Sequence, residues 1–305
     1  MVTTDMNISN IGFVGYGEVG KIFSAGLKGQ GGVKSAGAWD IKFVDADIGD
    51  SEKAYAAAAG IAAQPSMQAL CAQSDLIVSA VTASNTLAVA QEAARHIRPG
   101  AIFLDMNSAS PGTKQRAASA IDTAGGHYVE AGVMTSVPPY GIKVPMLLGG
   151  AMAGELARVL QGWGMNASVV SERLGVASAI KMSRSVMIKG LEALVIESYA
   201  TARQYGVEEH VLPTLQETFP SIDWNRQGAY FFSRVVQHGK RRAEEMREAA
   251  NTVREAGFEP FMASAIADKQ QWMADCAKAG IFDGLSKDAR WEDYADRLIE
   301  ARKRG

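Results

Sequence analysis

A glycine-rich turn between an apolar run and an amphipathic run constrains this chain more than any other feature. It reads GYGEVG, Gly15 to Gly20. It directly follows Ile11–Val14 and directly precedes a stretch carrying Val19, Ile22, Phe23 and Leu27 at helical spacing. A short apolar run followed by a 3.6-residue period predicts strand, tight turn, helix. In that context each glycine has a task. Gly15 permits the turn, Gly17 lets backbone approach a pyrophosphate, and Gly20 lets the helix pack on the strand. The helix start also offers unpaired N–H groups and a positive dipole end to phosphate. Gly15, Tyr16, Gly17, Glu18, Val19 and Gly20 are therefore candidate dinucleotide contacts.

Twenty residues past Gly20, after a second apolar run at Ala36–Trp39, stands Asp40. A carboxylate there accepts from ribose hydroxyls and repels a 2′-phosphate, which favours NAD over NADP. Lys42 works against that preference, since its ammonium can pair with a phosphate, so NADP stays possible. Further runs follow: Asp75–Val81, Ala101–Met106, His127–Val133 and Val144–Gly150. Asp75–Val81 is β-branched with almost no polar alternation, as expected of a central strand buried on both faces. Helical stretches lie between, at Leu87–His96 and after Ser110-Pro111, an N-cap followed by a first-turn proline. Alternation at this pitch predicts a Rossmann-type doubly wound α/β domain with a parallel sheet. Ligands of such sheets sit beyond the carboxyl ends of the strands, so Val81, Thr82, Asn107 and Ser108 are expected to line the nicotinamide half.

From about Val176 onward the pattern is helical, with no convincing strand. Residues 177–205 read as one long helix stopped at Gly206, with Gly190 inside it marking close packing. Two more helices follow, one ended by Gly257 and Pro260. The expectation is a dinucleotide domain over 1–172 and an all-helical domain over 173–305, which serves substrate binding and dimerisation.

Composition removes other classes. The 31 basic and 33 acidic residues give a net charge of -2. The one dense basic cluster, His238–Arg242, runs into AEEMRE and reads as a solvated helix face, so a nucleic-acid partner is not expected. No apolar run approaches the roughly 18 residues of a membrane span. Cys71 and Cys276 have neither disulfide nor metal-ligand spacing, so no metal is expected. No signal pattern opens the chain, and the reading is a cytoplasmic protein.

The order of motifs resembles a known family. GYGEVG, DMNSASPGT, EAGVMTS and then RLGVASAIKMSRS together look like the β-hydroxyacid dehydrogenases, relatives of 3-hydroxyisobutyrate and 6-phosphogluconate dehydrogenases. KMSRSVMIKGLEAL and IDW are similar to a branch that carries a helical domain of unknown function. The resemblance implies a catalytic lysine at Lys181. Its neighbours Ala177, Ala179, Ile180 and Met182 are small or apolar, a setting that disfavours the charged form of an amine and suits proton shuttling. It also implies a substrate-holding residue one turn on, where this chain has Ser185 in place of asparagine. The strand end expected to hold a carboxylate through glycines instead reads Met134, Thr135 and Ser136. Glu244-Glu245 replaces an expected lysine–aspartate pair, leaving Lys240, Arg241 or Arg242 as substitutes. Ile188 or Lys189 occupies the place of the glutamate used by decarboxylating relatives, so decarboxylation is not expected. Lys189, pairing with Glu192 or Glu197 or facing substrate, and Trp224, with Tyr230 and Phe231 beside it, are further substrate candidates.

The resulting expectation is an NAD(P)-dependent dehydrogenase acting on a small β-hydroxy acid or related alcohol. The alternatives are an imine reductase on the same scaffold and a non-catalytic dinucleotide sensor, neither of which needs Lys181. Val186, Leu191, Leu194 and Val195 on the long helix suggest a homodimer through the helical domains.

Overall fold

The computed structural model describes residues 6–286 and 288–304, excepting the side chain of residue 304. The chain divides into two compact units, Met1–Met182 and Ser183–Gly305. The division falls inside the long helix, ten residues beyond the expected 172/173 boundary.

The first unit is built on an eight-stranded sheet. Its strands are β1 (Asn10–Val14), β2 (Ser35–Trp39), β3 (Ala62–Ala63), β4 (Leu76–Ser79), β5 (Ile102–Asp105), β6 (His127–Val133), β7 (Met146–Gly149) and β8 (Ala167–Ser171). They lie in the order β3-β2-β1-β4-β5-β6-β7-β8. The crossing helices are α1 (Glu18–Leu27), α2 (Gly49–Ala58), α3 (Met67–Gln73), α4 (Thr86–Ala94), α5 (Pro111–Thr123) and α6 (Ala153–Gly162). All pairings from β3 to β6 are parallel, but β7 runs antiparallel to β6, and β8 is parallel to β7. The wholly parallel sheet expected from the alternation therefore needs correcting at its last two strands. Only a short 3-10 turn, Gly141–Lys143, lies between β6 and β7, with no crossing α-helix, so the chain can turn back beside the strand it has just left.

Both faces of the sheet are covered. Phe13, Leu76, Val78, Leu104 and Leu148 belong to one apolar cluster, and Val14, Ile77, Phe103 and Tyr128 to another. This is why the central strands read as unbroken apolar runs. Ser110 caps α5 by accepting from the Thr113 N–H at 3.2 Å, with Pro111 opening the helix, as its sequence predicts.

The helical unit holds most of α7 (Val176–Tyr205), then α8 (Glu208–Thr218), α9 (Trp224–Glu255), α10 (Phe261–Lys278) and α11 (Trp291–Arg304). Gly206, at φ +67°, ends α7. Its core gathers Ile196, Tyr199, Phe232, Met273, Trp291 and Ala295. Gly190 meets Ile266: an added Cβ would stand 3.1 Å from the isoleucine Cδ1. That is the close packing a mid-helix glycine suggested.

Trp224 is a core residue here. Its ring lies edge-on to Phe219, and its carbonyl accepts from the Tyr199 hydroxyl at 3.1 Å. Phe231 is buried and Tyr230 exposed. On α7, Val195 is buried whereas Leu194 and Met187 face out. No helix among the described residues is long and apolar enough to cross a membrane.

Candidate functional site

The parallel register decides what meets at the sheet edge. Val14, Ser79, Asp105 and Glu130 stand side by side on β1, β4, β5 and β6. The turns that follow these strands therefore open along one edge, bringing the glycine turn, Val81-Thr82, Asn107-Ser108 and Met134–Ser136 to the same side of the sheet.

The three glycines of the first turn do different things. Gly15 has φ +88°, and a Cβ on it would strike the Ala80 carbonyl oxygen. A Cβ on Gly20 would strike the Gly15 carbonyl oxygen. Both are fixed by internal packing. Gly17 has an ordinary φ of -77°, and a Cβ there would meet nothing within 4 Å. Nothing in the protein demands glycine at position 17, and the open space above it is where a pyrophosphate would approach. Gly17 is also the N-cap of α1, which has no side-chain cap, so the helix keeps its first N–H groups for an anion. Glu18 and Val19 open that helix. These residues fit a dinucleotide.

Asp40 follows β2 directly. Its Oδ2 accepts from the Tyr16 N–H at 2.6 Å and its Oδ1 from the Lys42 N–H at 2.9 Å. It thus fastens the glycine turn to the turn after β2, and each oxygen retains lone-pair capacity for a ribose hydroxyl. Tyr16 contributes backbone only. Its ring is buried against Phe43, and burial raises its hydroxyl pKa.

Asn107 is likewise a fastener. Its Oδ1 accepts from the Val81 N–H at 2.7 Å, and its Nδ2 donates to Ser79 Oγ at 3.0 Å. Its carboxamide ties the β4 turn to the β5 turn, leaving Ser108 and the exposed Thr82 as the freer lining residues. Thr82 Oγ1 accepts from Asn85 Nδ2 at 2.9 Å.

Beneath Asn107 lies a charge pair that sequence reasoning missed. Lys114 Nζ stands 2.9 Å from Asp105 Oδ1 and also donates to the Asp105 carbonyl at 3.0 Å. The Tyr128 hydroxyl donates to Asp105 Oδ2 at 2.5 Å, and the Asn107 N–H donates to Oδ1. All three side chains are buried. Burial, with the Asp105 charge second, holds the Tyr128 hydroxyl pKa well above its ordinary value.

A second missed residue is Glu130 on β6, fully buried. Its Oε1 accepts from the Gly175 and Ala177 N–H groups at 2.8 and 3.1 Å, and its Oε2 from Ser178 N–H at 3.3 Å. One carboxylate caps the start of α7. The available signal was an acid inside an otherwise apolar strand, YVEAGV. Two residues on, Gly132 lets α7 come close: an added Cβ would lie 3.1 Å from the Ala177 carbonyl oxygen and 3.6 Å from Lys181 Cβ. Lys181, half-buried, is thus anchored beside the end of β6. Met134, in the turn beyond, donates its N–H to Pro145 at 2.9 Å.

In the helical unit the charges pair differently from expectation. Lys189 Nζ stands 2.8 Å from Glu245 Oε2 and 3.3 Å from Ser185 Oγ. It pairs with neither Glu192 nor Glu197. Glu192 is bound by Arg242 through two contacts and by Gln270 Nε2 at 3.3 Å, and Glu197 by Lys269. Arg242 is buried, so the basic cluster is not wholly a solvated face, and Arg242 is committed to Glu192 rather than to a cofactor. Among the described residues, no group of acids, cysteines and histidines could hold a metal ion. Cys71 and Cys276 are free and buried.

Residues 10–141 match the NAD binding domain of 6-phosphogluconate dehydrogenase, and residues 202–273 match a domain of unknown function, DUF1932. A conserved hypothetical protein from Sinorhizobium meliloti is 38% identical over 98% of this chain and 99% of its own, with a TM-score of 0.75. The conserved protein MTH1747, described as structurally similar to 3-hydroxyacid dehydrogenases, is 30% identical over 88% of this chain and 98% of its own, with a TM-score of 0.65. The chain belongs to the β-hydroxyacid dehydrogenase family. It sits in the branch that joins the NAD-binding domain to the helical domain of unknown function. The first unit of this family member is a nicotinamide-dinucleotide-binding domain. The fold is also that of the Mycobacterium tuberculosis 3-hydroxyisobutyrate dehydrogenase, 17% identical over 95% of this chain and 99% of its own, with a TM-score of 0.68.

Proposed function

We propose that this family member oxidises a small β-hydroxy acid or related polar alcohol with NAD(P), without decarboxylation, and that Lys181 carries the proton. The supporting observation is the anchoring of Lys181. Glu130 caps its helix and Gly132 admits its Cβ at the end of β6, on the edge where the glycine turn opens. A proton-transfer group needs a fixed position before it needs a tuned pKa.

In this reading Gly17, the first N–H groups of α1, Asp40, Thr82 and Ser108 hold the cofactor. When bound, the nicotinamide accepts a hydride. Lys181, as the neutral amine, takes the hydroxyl proton as the carbon–hydrogen bond breaks, leaving a carbonyl. In the reverse direction its ammonium returns that proton. Thr135 and Ser136, beyond β6, contact substrate. The position eight residues past Lys181 holds Lys189 rather than an acid, and the carboxylate that meets it, Glu245, is engaged in an ion pair with that lysine, which supports oxidation without decarboxylation.

The test is Lys181→Ala in the full chain, with β-hydroxy acids and related alcohols screened against NAD and NADP side by side. NADH binding should survive and turnover should fall by at least about a thousandfold, within the range of general acid–base contributions. Undiminished turnover overturns the assignment. A homodimer through the helical units accounts for the exposed Met187 and Leu194 on α7, and a light-scattering mass of one chain rules it out.

A further inference from the structure

We propose that Lys21 is a positioning residue for the adenosine half of the cofactor: it clamps α2 to α1, and through α2 it holds the Asp40 turn against the glycine turn. This rests on the cofactor role given to Asp40 above and is independent of the reaction.

α2 is poorly fastened by its own burial. Of its ten residues only Gly49 and Ala56 are buried, and neither carries more than a methyl group. Yet its start is packed hard against the turn that follows β2. An added Cβ on Gly49 would stand 2.8 Å from the Phe43 carbonyl oxygen and 3.3 Å from that of Lys42. Asp40 is the N-cap of that turn, Ile41–Val44. The Asp40 turn and α2 therefore form one block. A segment with few buried apolar contacts opens readily unless something else holds it.

Lys21 supplies the hold. It lies one residue past Gly20, where α1 is seated on the Gly15 carbonyl, so its backbone is fixed. Its Nζ stands 2.8 Å from Glu52 Oε2 and 4.2 Å from the centre of the Tyr55 ring, both on α2. Residues three apart share a helix face, so one ammonium engages both. The paired side chains are only 26% and 21% exposed, and the ring adds a cation–π attraction to the charge pair. The Lys53–Asp50 pair is the contrast. It joins two residues within α2 and leaves the Asp50 side chain fully exposed, the kind of pair that contributes little.

The rings carry the clamp inward. Tyr55 lies edge-on to Tyr16 with centroids 6.4 Å apart, and Tyr16 meets Phe43 at 5.8 Å. Tyr16 thus touches both parts of the block with its ring while its N–H donates to Asp40 at 2.6 Å. Asp40 is aimed at a ribose only while the block is in place. Without Lys21 a share of the molecules has the block displaced, and apparent affinity falls with the competent fraction.

The test uses the full chain. NADH binding is read from nicotinamide fluorescence, adenosine 5′-monophosphate binding by competition with NADH, and amide hydrogen exchange on the cofactor-free protein. Lys21→Met should weaken NADH and the monophosphate together, by at least about threefold if the competent fraction drops to a third. Exchange should quicken over residues 41–58 and not along β4 and β5. Lys21→Arg, which keeps a cation for Glu52 and Tyr55, should stay within about twofold of wild type. Lys53→Met should change neither reading. Wild-type affinities in Lys21→Met, or a loss for NADH that the monophosphate does not share, overturn the positioning role. Tyr55→Leu alters an exposed ring, should act in the same direction, and decides the matter if Lys21→Met does not fold. Asp40→Ala is measured alongside. If it binds NADH as wild type does, the Asp40 assignment fails, whereas a failure of the clamp leaves Asp40→Ala impaired and Lys21→Met unimpaired.

Discussion

Glu130 on β6 and Ala177 on α7 are joined at 3.1 Å by a carboxylate oxygen accepting a backbone N–H, and the same carboxylate takes the N–H groups of Gly175 and Ser178. A buried acid that satisfies three orphan donors cannot be shortened without leaving them bare. Glu130→Ala should therefore destabilise the first unit by at least about 3 kcal/mol, taking about 1–3 kcal/mol for each unsatisfied group. Glu130→Gln keeps one good acceptor and should fall between. Urea denaturation of the two variants measures both; equal stability would mean that water replaces the carboxylate.

The glycines of the first turn separate fold from binding. Gly17→Ala puts a methyl group into open space at an ordinary φ, so its unfolding free energy should change by less than about 1 kcal/mol. Its NADH affinity should drop at least about tenfold, or 1.4 kcal/mol. Gly20→Ala meets the Gly15 carbonyl and should cost about 1–3 kcal/mol in stability instead. Calorimetry with and without NADH distinguishes the two patterns.

Lys114→Met should be among the most damaging single substitutions in the sheet unit. It leaves the Asp105 carboxylate buried with only Tyr128 and the Asn107 N–H, and breaking a buried pair from one side costs about 3–5 kcal/mol. The turn that carries Asn107 and Ser108 loosens with it, so weaker NADH binding should accompany the lower melting temperature.

Burial pushes the Cys71 thiol up to about 12, with the Glu92 charge adding to the effect. The folded state then holds this proton more tightly than the unfolded chain does. Its contribution is complete below the ordinary thiol pKa of 9.0 and is lost as pH rises from there towards 12. Iodoacetamide at pH 8 should leave Cys71 unmodified in the native protein and label it in urea, as mass spectrometry of the Cys71 peptide would show.

Much of this site is legible in the sequence because its signals are local. GYGEVG, the β-branched run before Val81 and the Ser110-Pro111 cap each carry their own geometry within a few residues. The pairings are a different matter. The reversal of β7 is not written in Val144–Gly150 itself but in the connection from β6, which carries no crossing α-helix. β3 is only two residues long and has no pattern to read. Arg242 sits in a basic run and Lys114 on a polar helix, yet both are buried, because their partners Glu192 and Asp105 lie elsewhere in the sequence. An aromatic on a helix such as Trp224 reads as core more readily than as a pocket wall, and its contacts with Phe219 and Tyr199 agree with core.

The buried Glu130 also leaves a trace that can be sought across relatives. An added Cβ on Gly149, across the antiparallel pair, would stand 2.6 Å from Glu130 Oε1. That oxygen is not free to swing aside, since two N–H groups hold it. The two positions are therefore tied in evolution. Lineages that keep the long acid at 130 must keep glycine at 149, and those that admit a side chain at 149 should carry a shorter residue at 130 and a different way of starting α7.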